Sequence, residues 1–358
     1  MRETAILERD LTRALEEIRP ADEERMAQAR RHWDAVAKPL HGLGLLEDVV
    51  VRMAGVAPLG RDLKKAVAAF CADNGVVAQG VTQTDSSVTA VVAGNMLTGK
   101  ASVCCMSRVA GAEVFPVDAG MVTEVEGLRS IKVRRGTRDL SQEPAMTRQE
   151  CLSVLLAGMD IARELSEMGC GLLAAGEMGI GNTTTSSAVA CALLGRPAEE
   201  MTGRGAGLSG EGLRRKVQAI RRGLAVNRPD PADPLDVLAK VGGFDIAGLC
   251  GVFLGGALYR VPVLADGFIS TVAALCAVRL CPLAEQAVFA SHVSAEPAGA
   301  LVLNALGQKP LITAEMRLGE GTGAVAAIPL LDMALAVYGE AYTFEQGGIG
   351  PYVPWEDT

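Results

Sequence analysis

The chain lacks the features that mark several protein classes. No Lys/Arg-rich stripe runs through its 358 residues; Arg30-Arg31, Arg134-Arg135 and Arg221-Arg222 are isolated pairs in a chain of net charge −8. That argues against a nucleic-acid partner. It leaves room for small anionic ligands, which backbone amides can hold. None of the nine cysteines forms a C-x-x-C pair, so reduced core thiols are expected rather than a metal site or a disulfide framework. The opening segment MRETAILERD is charged and reads as carrying no signal region. The longest apolar run, Ile246 to Tyr259, is broken by glycines and too short for a bilayer. A cytoplasmic protein with no membrane role is the expectation.

Aromatic residues are scarce at 4%, while glycine is abundant, with 41 residues. Hydrophobic residues reach 49%, enough for a sizeable core. Small side chains and many glycines suit close packing of helices on strands, and glycine-rich ligand loops.

Glu3 to about Ala37 reads as two amphipathic helices, the second capped by Asp22, and a third helix is expected over Leu45–Ala54. From about Lys64 the pattern changes. Apolar runs at 66–75, 113–120, 171–179, 261–267 and 287–292 each end in Gly, Asp, Asn or His. Helical candidates lie between them, at Ser86–Gly99, Thr147–Met168, Asn182–Leu194, Gly210–Ala225, Asp245–Tyr259 and Ile269–Leu280. Glu296–Leu306 follows. Strands apolar on both sides that alternate with helices indicate an α/β fold with a parallel sheet covered on both faces. Such sheets bind ligands at the carboxyl ends of their strands. The polar residues ending these runs (Asp73, Asn74, Asp118, Glu177, Asp266, Ser291 and His292) should therefore gather along one edge. Gly321 to Tyr342 reads as a long apolar helix that packs with the N-terminal helices.

Four segments carry chemistry. GEMGIGNTTTSSA (176–188) follows a buried strand and opens a helix; Gly179 and Gly181 let backbone approach a ligand, and Asn182 and Thr183 add polar groups at a helix N-terminus that favours anions. Its spacing is neither Walker A nor G-x-G-x-x-G, which speaks against an NTPase or a dinucleotide-dependent dehydrogenase. RLGEGTGA (317–324) places Glu320 between glycines, where a carboxylate can face a ligand or simply start a helix. GRGAGL (203–208), with Gly205 and the nearby Lys216, can close over a phosphate or form a surface turn. ADNGVVAQGVTQTDSSVTA (72–90) is a polar loop at a strand end, a site wall or a plain connector. His292 reads as a hydrogen-bonded structural histidine rather than a catalytic base.

Together these segments, with KPLHGLGLLEDVVVRMAG, VFPVDAGM, VGGFDIAGL, PVLADGFIST and SHVSAEP in the same order, resemble the nicotinate-nucleotide–dimethylbenzimidazole phosphoribosyltransferase family over most of the chain. The resemblance implies a Rossmann-like parallel sheet with helices on both faces (61–319). It implies a small helical domain built from both chain ends (1–60 with 320–358), and a homodimer. Its substrates would be nicotinate mononucleotide and an aromatic base, with neither cofactor nor metal. Glu320 would be the general base and Glu177 would lie at the junction of ribose and base. Gly179, Gly181, Asn182 and Thr183 would hold the phosphate, and Lys216, Gly205, Asp266 and Ser291 would complete the nucleotide site.

This chain departs from the family pattern elsewhere. Asn74 replaces a histidine, Thr82, Asp85 and Ala90 replace a serine, a proline and a glutamine in the base loop, Ala298-Gly299 replaces Gly-His, and KPLHGLG lacks a serine. Thr82 and Ala90 therefore become the acceptor-side residues, and the acceptor can be dimethylbenzimidazole, another benzimidazole, a purine or a phenolic. A catalytically silent partner of an active homologue is the competing reading.

Overall fold

The computed structural model describes residues 3–60 and 63–352. Six parallel strands form one sheet: β1 (Lys64–Ala72), β2 (Ala112–Gly120), β3 (Arg129–Ser130), β4 (Cys170–Met178), β5 (Val263–Ala265) and β6 (Val288–Ala290). Their order is β3-β2-β1-β4-β5-β6. The chain thus builds outward from β1 on one side and from β4 on the other. The direction reverses between these two central strands, and the crevice at their carboxyl ends is where an open α/β sheet takes a ligand.

Helices α1 (Thr4–Glu17), α2 (Glu23–Ala35) and α3 (Leu45–Val56) precede the sheet. After β1 come α4 (Ser87–Leu97) and α5 (Ser102–Ala110), and α6 (Arg148–Glu167) joins β3 to β4. Between β4 and β5 lie α7 (Asn182–Leu194), α8 (Ala198–Met201), α9 (Gly210–Asn227), α10 (Pro234–Val241) and α11 (Phe244–Leu258). α12 (Phe268–Leu280) joins β5 to β6, and α13 (Gly299–Ala305), α14 (Thr322–Glu340) and α15 (Phe344–Gly347) follow.

The strand alternation explains the two-sided cover. In β1, Ala66, Ala68, Phe70 and Ala72 enter one apolar cluster, with α6 and α11. Val67, Ala69 and Cys71 enter the other, with residues of α3, α4, α5 and α14. Period 2 sends successive side chains to opposite faces, so a strand buried on both reads as one unbroken apolar run. The expected α/β class and Rossmann-like sheet are present.

Five elements escaped the sequence reading: β3, α5, α8, α10 and α15. All are short, and β3 has only two residues. The residues expected as one small unit, 1–60 with 320–358, divide among the apolar clusters. α2, α3 and the last turns of α14 share a cluster around Trp33, Val50, Ala334 and Leu335, and Val36 bridges to Thr343. Leu7 and Leu11 of α1 instead pack into the opposite cluster, against α6 and α11, because that is where an open apolar surface meets their stripe. The first half of α14 lies on the sheet itself, through Val325, Ile328 and Leu331. The outermost residues of the expected units, 1–2, 61–62 and 353–358, fall outside the described residues.

Two stretches, Ser87–Ala110 and Thr322–Glu340, are long and apolar enough to cross a membrane, whereas the longest apolar run expected from sequence was Ile246–Tyr259. The first is divided into α4 and α5, and the second packs on the sheet as described.

The tightest helix contact is α6 on α11. A Cβ on Gly158 would stand 2.1 Å from the Gly248 carbonyl oxygen, and one on Gly251 would stand 1.9 Å from that of Leu155. Backbone meets backbone there, with no flexible side chain to yield. Gly251→Ala is expected to lower unfolding free energy by about 1–3 kcal/mol, the usual effect of overpacking, read by chemical denaturation. Unchanged stability would show that the two helices can separate freely.

Candidate active site

A cavity of about 380 Å³ opens at the carboxyl ends of β1, β4, β5 and β6. That size is within the range of small-ligand pockets. Its walls come from the ends of three of the apolar runs, through Glu177, Asp266 and His292, together with three loops, Val81–Thr84, Arg204–Leu208 and Arg317–Glu320; Asp73, Asn74 and Asp118, expected on the same edge, do not line it. Two of these loops meet across the cavity, where the Gln83 side-chain amide donates to the Gly207 carbonyl.

One end of the cavity is built for an anion. β4 ends at Met178, the loop turns through Gly181 at φ +92°, and α7 starts at Asn182 with no side-chain cap of its own. Its N-terminal amides and positive dipole end thus face the loop. Lys216 enters from α9, is only 1% exposed, and donates from Nζ to Thr183 Oγ1 at 2.7 Å. Burial pushes this ammonium down to about 8, against the pull of Glu296. Gly205 lies beside it, its amide donating to Glu296 Oε1 at 3.1 Å. Gly179, Gly181, Asn182, Thr183, Gly205 and Lys216 all line this cavity.

The other end holds carboxyl groups. Glu177, at the end of β4, is buried and accepts from the Asn182 side-chain amide. Burial pushes it up to about 8, with Asp245 and Asp266 adding to the rise. Glu320 lies on a turn in which three consecutive residues are left-handed: Gly319 at φ +87°, Glu320 at +63° and Gly321 at +91°. For a non-glycine residue this conformation costs about 1–3 kcal/mol and needs support from its surroundings. Support comes from below and behind. The Glu320 amide donates to the Glu177 carbonyl at 3.1 Å. A Cβ on Gly176 would stand 2.6 Å from the Glu320 carbonyl oxygen, so only glycine allows the turn to rest on β4.

Asp266 locks the same turn. Its Oδ2 accepts from the Gly321 amide at 3.2 Å, and its Oδ1 accepts from Gly323 and Ala324 at 2.6 and 3.0 Å. It is therefore the cap of α14, supplied from the end of β5. Burial pushes this carboxyl up to about 7, while the three amides hold it down. Asp266 reaches the cavity wall, yet both its oxygens are engaged by the Glu320 turn.

Two of the expected contact residues do not reach the cavity. Ser291 is fully buried, with its hydroxyl 2.6 and 2.9 Å from the carbonyls of Ala265 and Asp266. Its side chain belongs to the strand end rather than the wall. Ala90 packs among the apolar neighbours of α4. Val92, two residues on and so roughly 200° around the helix, is the α4 side chain that lines the cavity. Thr82 does line it. His292 is a wall residue whose Nδ1 lies 3.1 Å from Ser291 Oγ, and burial pushes its pKa down, favouring the neutral ring. Asn74 is buried and donates to the Ile180 carbonyl at 3.3 Å, so the residue replacing the family histidine buttresses the glycine loop.

Sequence reasoning missed Arg204, Glu296 and Arg317, which also line the cavity, and the fully buried Asp245 behind Glu177. Asp245 was detectable as the one carboxylate in an apolar helical run, VGGFDIAGL.

A doubly wound sheet whose switch-point cavity joins a glycine-rich helix start, a buried lysine and a clamped carboxylate defines a protein of the nucleotide-binding α/β class. Known proteins narrow the class. The profile of the family described as phosphoribosyltransferase matches residues 18–349. The nicotinate-nucleotide–dimethylbenzimidazole phosphoribosyltransferase of Acetivibrio thermocellus is 45% identical over 350 residues, 96% of this chain and 99% of that one. The protein of the same name from Clostridium acetobutylicum is 44% identical, covering 94% and 97%. The crystal structure of CobT from Thermus thermophilus superposes with a TM-score of 0.85 at 42% identity, covering 92% of this chain and 100% of that chain. The chain belongs to the nicotinate-nucleotide–dimethylbenzimidazole phosphoribosyltransferase family.

The raised pKa of Glu177 has a measurable consequence. An unfolded glutamate titrates near 4.5, whereas this one holds its proton to about 8. The unfolded state therefore releases the proton first, and the contribution of Glu177 to stability falls as pH rises from about 4.5 to about 8. Glu177→Gln removes that contribution. The variant should match the parent near pH 4.5, gain on the order of 3–5 kcal/mol relative to it by pH 8 at ~1.36 kcal/mol per unit, and hold the gap beyond. Denaturation across pH checks this; a gap independent of pH would refute it.

Proposed function

We propose that this chain transfers the phosphoribosyl group of nicotinate mononucleotide to an aromatic base such as 5,6-dimethylbenzimidazole. The products are nicotinate and the α-ribazole phosphate-type nucleotide that becomes the lower ligand of a cobamide. Family membership supports the reaction class, and the names of the relatives support the substrate pair. The observation that carries the reading is that one cavity holds a buried lysine on a glycine-rich helix start together with Glu320 on a clamped, strained turn.

The chemistry follows from the layout. The phosphate sits against the Gly179–Thr183 amides and Lys216, where a dianion finds both a charge and donors. This anchors the ribose with C1′ toward the carboxyl end. The bond between C1′ and the pyridinium nitrogen breaks with its electron pair going to nitrogen, which neutralises the ring as it leaves. The acceptor's unprotonated ring nitrogen attacks C1′ from the opposite face, inverting it to the α-configuration. The other ring nitrogen of the acceptor gives its N–H proton to Glu320. A positioned base contributes about 10²–10⁴-fold, and holding both reactants together supplies much of the rest. Glu177, beside the junction of ribose and base, faces a cationic ring, which favours its ionised form. Val92, Met178 and Leu318 on the cavity wall offer apolar surface to a flat bicyclic acceptor. On this reading the enzyme works as a cytoplasmic homodimer, with α2, α3 and the last turns of α14 as the smaller unit.

The test is direct incubation with nicotinate mononucleotide and a panel of bases, followed by mass spectrometry. Nicotinate and a ribonucleotide should form in equal amounts, and Glu320→Gln should lower kcat by ~10²–10⁴-fold. A folded protein that transfers to no base overturns the reading. Lys216→Ala should raise the KM for the mononucleotide by ~10–100-fold, the scale of one charge-assisted hydrogen bond. The KM for the base should change little. An unchanged KM for the mononucleotide would place the phosphate elsewhere.

A further inference from the structure

Glu320 carries its carboxylate on a flexible side chain, so a clamped backbone does not by itself aim it. The aim comes from α5. That helix starts after Ala101, which has no side-chain oxygen, and no side-chain cap comes from its own N-cap residue. The Val103 amide, in the first turn, instead donates to Glu320 Oε2 at 3.1 Å, from 217 positions away in sequence. A first-turn amide has no partner inside its own helix, and the helix dipole favours a carboxylate there. The far side of the residue is equally constrained, by its own amide on the Glu177 carbonyl and by Gly176 beneath its carbonyl oxygen. Backbone and carboxylate are thus held by two independent elements, β4 and α5.

We propose that the main-chain amide of Val103 is a positioning group for the general base: it grips one oxygen of Glu320 and leaves the other to receive the acceptor's N–H proton. This role rests on the assignment of Glu320 as the base. It makes α5, an element with no side-chain role in the reaction as described above, part of the catalytic geometry. It also explains why the helix tolerates alanine at its cap position: the cap is supplied by the residue whose orientation matters.

The amide donor can be removed without removing the valine. An ester in place of the 102–103 peptide bond, introduced by incorporation of the α-hydroxy analogue of valine, deletes the N–H while keeping the side chain, at the cost of a weaker Ser102 carbonyl acceptor. Val103→Pro deletes it too, since proline is accepted in the first turn of a helix, and the ester carries the test should the proline variant fail to fold. The expected result is a fall in kcat of ~10–100-fold, the scale of a lost hydrogen bond to a charged group, with the KM for nicotinate mononucleotide changed less than ~3-fold.

Glu320→Asp supplies the discriminating background, because its shorter side chain cannot reach the amide. Adding the ester to Glu320→Asp should lower kcat no further. An unaltered kcat for the ester, or losses that multiply in the double variant as a merely structural defect would, overturns the proposal. Both results require an active parent enzyme; an inactive parent refutes the function itself and is a separate outcome.

Discussion

The Glu320 turn lies directly on β4, and the contact between them organises the rest of the site. Gly176 allows the turn to approach, Gly319 and Gly321 supply the left-handed backbone on either side, and Glu320 accepts a conformation that an L-residue seldom adopts. A Cβ on Gly319 would meet Glu177 Oε1 at 2.5 Å, so the two glutamates are neighbours by construction. The turn persists because both oxygens of Asp266 accept hydrogen bonds from the amides that follow Glu320. Strain of ~1–3 kcal/mol held at one residue is small against a core of this size and is a common mark of functional geometry.

Electrostatics divides the cavity along its length. Lys216 and the start of α7, with Glu296 beside them, make one side suited to phosphate, while Glu177, Asp266 and Glu320 line the adjoining wall, joined to α7 through Asn182, with Asp245 behind. Each of the three buried acids Glu177, Asp245 and Asp266 is pushed upward, mainly by burial. A group of acids that is short of counter-charge is a natural seat for a cationic ring, and nicotinate mononucleotide brings one tied to a phosphate. Its dipolar shape therefore matches the polarity of the cavity. When the C1′–N bond breaks, the ring nitrogen loses its positive charge and nicotinate leaves as an anion, so that attraction is lost and departure of the product is favoured.

Much of this was legible in the sequence. The parallel sheet followed from apolar runs that end in polar residues, because a strand buried on both faces leaves no alternation to read. GEMGIGNTT showed a glycine loop at a strand-to-helix junction, and the structure puts Gly179, Gly181, Asn182 and Thr183 on the cavity wall. What failed to show had a common cause: it depended on partners distant in the chain. α5 carries no cap signal because its cap is Glu320. Asp266 reads as a ligand group at a strand end, whereas its oxygens belong to α14. Ser291 is likewise tied to neighbouring carbonyls, and of Ala90 and Val92, which both pack against the same apolar cluster, helix phase brings only Val92 to the cavity. α1 joins the large core because its apolar stripe fits α6 and α11, a choice that no local pattern encodes.

The central claim is that a carboxylate held by β4 and α5 stands beside C1′ of a sugar whose phosphate is held by main-chain amides and Lys216. A crystal structure with nicotinate mononucleotide and a non-reacting analogue of the base measures this directly. The account predicts the phosphate within hydrogen-bond distance of Lys216 and the start of α7, and Glu320 facing the analogue across C1′ with Oε2 still on the Val103 amide. A mononucleotide bound with its phosphate at the carboxyl end, or Glu320 turned away from the anomeric carbon into solvent, would contradict it.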